Sequence, residues 1–316
     1  MRQLVDLESR LAKLRETIRP STIIDSLRLK KELGLNILIA SESFQTTGSF
    51  KFRAAYNLAA NTEKDTIITA SSGNFGQALA CACSMLGKKC IVVMPDNSAI
   101  IKIDSTKYWN ARVDLVNTKV KPRAARVAEL AAENPGAYIA SAYDDAFVIE
   151  GNSSLGIEIG DASYPADIVI APIGGGGLCS GIVQGLRSSK RPQIQVIAAE
   201  PASANDAAQS LAKGEIVIAP AESTTIADGA RTLSLGKLNF EILKDGLAGI
   251  IEVREESIKE ALHACFYYAN LKLEPTGALS IAAAMQNRER FAGKNLVCVA
   301  SGGNVDPGVF SQLLGF

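Results

Sequence analysis

The chain has 316 residues, 47% of them hydrophobic, enough to bury a large core and to fill about two domains. Its 33 basic residues balance 33 acidic ones, so no net field draws it to nucleic acid or to an anionic membrane surface. Its apolar runs are short and cut by Gly, Pro or charge, which argues against a transmembrane helix, and a single histidine, His263, argues against a histidine triad or zinc centre.

Along the chain, Leu4, Leu7, Leu11 and Leu14 recur at helical spacing among Arg2, Asp6, Glu8, Arg10 and Lys13, which predicts an amphipathic helix and no secretory leader. Residues 37–40 read as a buried strand, Gly48 and Ser49 as a turn and cap, and residues 52–60 as an alanine-rich helix. Lys51 therefore sits in a first helical turn, where an amine in an apolar pocket is a candidate Schiff-base nucleophile; a solvated helix-start lysine is the ordinary alternative. A strand at 66–70 runs into Ser71, Ser72, Gly73 and Asn74 and then a helix at 78–86. Amides and hydroxyls there make either an anion site small enough for an α-carboxylate or a plain serine cap.

Strands at 90–94 and 112–116 follow, and a strand at 167–172 leads into Gly174, Gly175, Gly176 and Gly177 before a helix that begins at Leu178. Such a loop can aim amides and a helix dipole at a phosphate. Cys179 or Ser180 stands where the last glycine of a dinucleotide fingerprint belongs, and no Gly-Lys-Ser/Thr follows. A compact monophosphate cup or a tight strand-to-helix turn remains. The strand at 195–200 ends in Glu200-Pro-Ala-Ser-Ala204-Asn-Asp206, and strands at 249–253 and 295–300 follow, the last opening into the polar turn Ser301-Gly-Gly-Asn304. Alternation of these runs with helix-forming stretches predicts an α/β protein with open, twisted, mostly parallel sheets, whose ligands bind at the carboxyl ends of strands. Six cysteines without a CxxC pair read as reduced core residues of a cytoplasmic protein.

An amine, a phosphate cup, a carboxylate cradle and a lone hydroxyl suit pyridoxal 5'-phosphate. In order, residues 45–53, 71–78, 174–178, 225–229, 274–277 and 301–304 resemble the tryptophan synthase β-like (fold type II) pyridoxal-phosphate enzymes, and the chain looks closest to their serine/threonine dehydratase and serine racemase branch. The resemblance implies that Lys51 carries the cofactor as a Schiff base and then removes the Cα proton. It implies that Phe50 packs on the cofactor ring, that Asn74 binds its 3′-oxygen, Gly174 to Gly177 its phosphate and Ser301 its pyridine nitrogen. Ser71, Ser72, Gly73 and Asn74 would hold the substrate, with Ser72 facing it from the side opposite Lys51 as a second catalytic residue. A hydroxyl at the ring nitrogen makes a moderate electron sink, which favours loss of a β-leaving group. The implied reaction is α,β-elimination on a β-hydroxy amino acid such as L-threonine or L-serine, giving a 2-oxo acid and ammonia. The alternatives are a serine- or aspartate-type racemase, a β-replacement enzyme of specialised amino-acid biosynthesis, and a non-catalytic pyridoxal-phosphate-binding protein.

Glu200, Ala204 (by its carbonyl) and Asp206 resemble the racemase branch's divalent-cation loop, whose oxygen ligands suit structural Mg2+, Ca2+ or Mn2+; a solvated acidic loop is the other reading. The resemblance also implies a homodimer, and a small domain at 66–144 inserted in a large one at 1–65 and 145–316, with the cofactor between them and closure carrying residues 71–74 onto the substrate. Departures cluster on the substrate side. Phe75 stands where the family generally has histidine, Ala54 replaces a glycine, Ala40 a lysine, and Gly151-Asn152-Ser153-Ser154 replaces Gly-Gln-Gly-Thr, which predicts a more apolar pocket. The end at Phe316, soon after the Ser301 turn, leaves no room for the regulatory domain of feedback-controlled dehydratases.

Overall fold

The structure is a computed structural model that describes residues 11–71, 73–98 and 100–316. Helix α1 (residues 11–17) is the described part of the leucine stripe; Leu4 and Leu7 lie outside the described residues. Then come β1 (Thr22–Ile24), α2 (Leu27–Leu33), β2 (Asn36–Ser41), α3 (Lys51–Asn61), β3 (Thr66–Ala70), α4 (Asn74–Met85), β4 (Lys89–Pro95) and α5 (Ile100–Lys107). The chain continues through β5 (Arg112–Val116), α6 (Arg123–Glu133), β6 (Tyr138–Ala140), α7 (Ala146–Asp161), β7 (Ile168–Pro172), α8 (Gly177–Arg187), β8 (Gln195–Pro201) and α9 (Asp206–Lys213). It ends with α10 (Lys237–Leu243), β9 (Gly249–Val253), α11 (Glu255–Ala269), α12 (Pro275–Gln286), β10 (Asn295–Ala300) and α13 (Pro307–Leu314).

Two compact units share these elements, one holding residues 19–50 and 152–316 and the other residues 11–18 and 51–151. The first is built on a six-stranded sheet in the order β1-β2-β10-β7-β8-β9, parallel except for β1 against β2. Alternate residues of its central strands enter different cores. Ile168, Ile170, Ile197, Leu296 and Cys298 join one, and Val169, Ala171, Val196, Val297 and Val299 the other. Strands covered on both faces need continuous apolar sequence, which is why these runs stand out in the chain. Helix α12 packs along β10, β7, β8 and β9, while α8 packs on β7 and β8. Helices α7 and α8 approach closely at glycines: a Cβ on Gly156 would lie 3.0 Å from the Cα of Gly185, too near for any larger residue.

The second unit is built on a parallel four-stranded sheet, β5-β4-β3-β6, with Ile68, Ile91, Val93, Val116 and Leu130 as its core. Helix α3 packs on α4 and so groups with this sheet, and the compact unit takes in more than the stretch 66–144 expected of the small domain. The short strands β1 and β6 were not expected, since three residues carry too little alternation to register as a strand. All six cysteines are buried and unpaired. No helix among the described residues is long and apolar enough to cross a membrane.

Candidate active site

Lys51 opens α3, and its Nζ donates to the carbonyl of Ala142 at 2.7 Å. The amine lies 5.6 Å from the centre of the buried Phe75 ring, within range of a cation–π attraction. Ala142 belongs to the turn between β6 and α7, held because Ser141 Oγ accepts from Asp144 N at 3.0 Å and Asp145 Oδ1 accepts from Phe147 N at 2.8 Å. Tyr138 Oη donates to Asp145 Oδ2 at 2.9 Å. Burial pushes the Asp145 carboxyl above its ordinary range against these hydrogen bonds, and burial beside Asp145 pushes the Tyr138 hydroxyl up as well.

In the same unit Ser71 follows β3, and its Oγ accepts from Gly76 N at 3.0 Å. A Cβ on Gly76 would lie 2.7 Å from the Ser71 carbonyl, so the turn requires glycine there. Gly73 is extended and caps α4, which begins at Asn74. Ser72 lies outside the described residues.

In the other unit β7 delivers Gly174–Gly177 to the start of α8. Gly176 has φ of +97°, a left-handed conformation open to glycine, and a Cβ on it would lie 2.8 Å from the Cβ of Asn239. The Gly175 carbonyl accepts from Gly236 N at 3.0 Å and from Asn239 Nδ2 at 2.7 Å, and the Gly177 carbonyl accepts from Asn152 Nδ2 at 3.0 Å. Among the described residues, no acceptor takes the amides of Gly174, Gly175, Gly176 or Gly177, although the last three residues are buried. Buried amides at a helix N-terminus fit a phosphate, and the dipole of α8 adds to them.

Ser301 follows β10 and is 2% exposed. Its carbonyl accepts from Phe50 N at 3.0 Å, Gly303 N donates to the Gly48 carbonyl at 3.0 Å, and Asn304 Nδ2 donates to the Thr47 carbonyl at 2.8 Å. The strand-to-helix turn before Lys51 is thus laced to the Ser301 turn, with Phe50 and Ser301 as direct partners. Gly277 lets α12 press against this turn, because a Cβ there would run into the Gly302 carbonyl.

Glu200 near the end of β8 is buried, and its carboxylate accepts from Ala207 N at 3.3 Å and Ala208 N at 2.8 Å at the start of α9. Burial raises its carboxyl to about 8, with Asp206 and Glu252 pushing in the same direction against those two amides. Burial raises Asp206 to about 6, and its buried Oδ2 has no hydrogen-bond partner among the described residues. Ala204 sits on the turn between them. Among the described residues no cluster of three or more His, Cys, Asp or Glu side chains is placed to hold a metal.

The structure thus joins Lys51 with Phe75 in one unit, and Phe50 with Ser301 and Glu200 with Asp206 in the other. Sequence reading missed the Ala142 carbonyl, which no side-chain pattern marks, and the amides of Asn152 and Asn239 that hold the glycine loop. Asn152 was visible only as a departure within residues 151–154.

A family model described as pyridoxal-phosphate dependent enzyme matches residues 14–302. The catabolic L-threonine dehydratase of Staphylococcus aureus strain N315 is 35% identical over 311 residues, 96% of this chain and 89% of that one. Among solved structures, a threonine deaminase from T.th. superposes with a TM-score of 0.89 at 34% identity, covering 96% of this chain and 98% of that one. Maize serine racemase superposes with a TM-score of 0.90 at 28% identity, covering 98% and 94%. The chain belongs to the pyridoxal-phosphate dependent enzymes of fold type II, in the serine/threonine dehydratase and serine racemase branch.

Proposed function

We propose that this protein is an ammonia-lyase that removes the β-hydroxyl and the α-amino group of a β-hydroxy amino acid, L-threonine or L-serine, to give a 2-oxo acid and ammonia. The observation that carries it is the buried hydroxyl of Ser301, tied through its backbone to Phe50, the residue next to Lys51. Bound pyridoxal phosphate supplies a sink for the electron pair left when the Cα proton departs. Lys51 is the residue that would hold it covalently and serve as base toward Cα, its amine already aimed by the Ala142 carbonyl. The amides of Gly174 to Gly177 would hold the phosphate, Asn74 the 3′-oxygen, and Phe50 the ring face.

Ser301 would donate to or accept from the ring nitrogen without placing a full charge there, which leaves expulsion of the β-hydroxyl as the route that relieves charge at Cα. Proton and hydroxide leave as water; the enamine set free tautomerises to an imine, and water then releases ammonia. Ser71, Gly73 and Asn74 would hold the substrate carboxylate, and Ser72 would be the proton carrier on its other face. Likeness to the racemases supports a second output, the D-isomer. Purified protein given L-serine, L-threonine and 3-hydroxyaspartate separates these readings. Oxo acid formation supports elimination, whereas D-isomer without oxo acid replaces it by racemisation.

Two further assignments rest on the same resemblance, and a third rests on the thiols. The buried Glu200 carboxylate, the orphaned Asp206 Oδ2 and the Ala204 carbonyl would hold a structural Mg2+, Ca2+ or Mn2+, hard-oxygen donors suited to such ions. Phe266, Tyr267 and Phe316 form an exposed aromatic cluster available to a homodimer, which light scattering reads. Six unpaired thiols support a cytoplasmic location.

A further inference from the structure

We propose that Asn239 and Asn152 are positioning residues of the glycine cup, each aiming one peptide group at the phosphate by holding the carbonyl on that peptide's opposite edge. The inference rests on the pyridoxal-phosphate reading of the cup. In a trans peptide the C=O and the following N–H point in opposite directions, and the described chain has no cis bond. Pulling the Gly175 carbonyl toward α10, with Asn239 Nδ2 at 2.7 Å and Gly236 N at 3.0 Å, therefore turns the Gly176 N–H away from α10. The Gly177 carbonyl, held by Asn152 Nδ2 at 3.0 Å, fixes in the same way the Leu178 N–H in the first turn of α8.

A run of glycines needs this bracing. Four residues without Cβ lose more backbone freedom on ordering than any others, and an unbraced loop would have to order itself at the moment of binding. The brace is packed as well as hydrogen-bonded, since Gly176 at φ +97° lies against the Cβ of Asn239 closely enough that no side chain fits between them. Asn152 is buried, and among the described residues its Oδ1 accepts no hydrogen bond, so the use made of its carboxamide is the donor it supplies to the Gly177 carbonyl. An amide retained with half of its hydrogen-bonding capacity unused costs stability, which is expected where the other half positions a ligand.

The test compares two probes that differ only in the phosphate. Equilibrium binding of pyridoxal phosphate and of pyridoxal is measured by absorbance on the protein stripped of cofactor, for wild type, Asn239→Leu, Asn152→Leu and Asn152→Gln. In wild type the phosphate form binds the more tightly; equal affinities would overturn the underlying reading of the cup rather than the role of the asparagines. Each leucine variant is expected to lose about tenfold or more in affinity for pyridoxal phosphate while pyridoxal binding stays within about twofold, and Asn152→Gln, which keeps a carboxamide donor, is expected to recover most of the loss. Equal losses for both probes would show a general structural defect and overturn the proposal, as would no loss for either. Should Asn239→Leu fail to fold, the Asn152 pair alone decides.

Discussion

An amine held 2.7 Å from a backbone carbonyl, beside a buried aromatic ring, is oriented before any ligand arrives, and this is what distinguishes Lys51 from a solvated lysine at a helix start. Lys51→Ala is expected to abolish turnover, a loss of at least about 1,000-fold, and to remove the absorbance band at about 410–420 nm while the thermal melt stays cooperative. Retained turnover would reject the role. Ser301 is the second residue on which the chemistry turns. Replacing its hydroxyl by a carboxylate in Ser301→Asp is expected to hold a proton on the ring nitrogen and to move the product ratio from oxo acid toward D-isomer, read by chiral chromatography. An unchanged ratio would remove Ser301 from the argument. Both residues were legible in the sequence because each stands on a short motif after a strand. The Ala142 carbonyl and the asparagine braces were not, because a backbone carbonyl leaves no mark in sequence and Asn239 lies far along the chain from the glycines it holds.

Among the elements, the central strands announce themselves because they are apolar on both faces, and β3, β5, β9 and β10 lie where the runs of Val and Ile placed them. Helix packing was less legible, since close approach depends on which residues are absent. Gly185 in α8 faces α7, and a Cβ on it would lie 2.8 Å from the Cα of Gly156, with the Ser153 carbonyl nearer still. Gly185→Ala is therefore expected to destabilise the fold by about 1–3 kcal/mol, read by denaturant titration, despite alanine's higher helix propensity. The junction of β8 and α9 gives a pH test. Folding raises the Glu200 carboxyl from 4.5 to about 8 and the Asp206 carboxyl from 3.8 to about 6. The folded protein therefore holds protons that the unfolded chain has released, so this stability is fully present at low pH and is lost as pH rises through those windows. In chelator the melting temperature is expected to fall as pH rises from about 5 to about 8, with Glu200→Gln flattening the slope and Mg2+ restoring more at the higher pH. A melting temperature that rises across the window in chelator contradicts the assignment of those protons.

At the scale of the whole molecule, likeness of 35% spread over 96% of the chain carries more than any single motif. The divergence is as informative. The resemblance implies a histidine in the family where Phe75 stands, and the Phe75 ring 5.6 Å from the Lys51 amine makes an apolar wall that suits a small substrate side chain over a charged one. L-threonine or L-serine is thus expected to be turned over with a kcat/KM at least about tenfold above that for 3-hydroxyaspartate, and the reverse order would show that the pocket supplies charge from elsewhere. The most direct measurement is elimination itself: wild type and Lys51→Ala, each supplied with pyridoxal phosphate and then with L-threonine or L-serine, assayed for 2-oxo acid and ammonia together. Equal amounts of both products from the wild type, and neither from the variant, is the predicted result; a wild type that binds the cofactor yet releases neither product from either amino acid would contradict it.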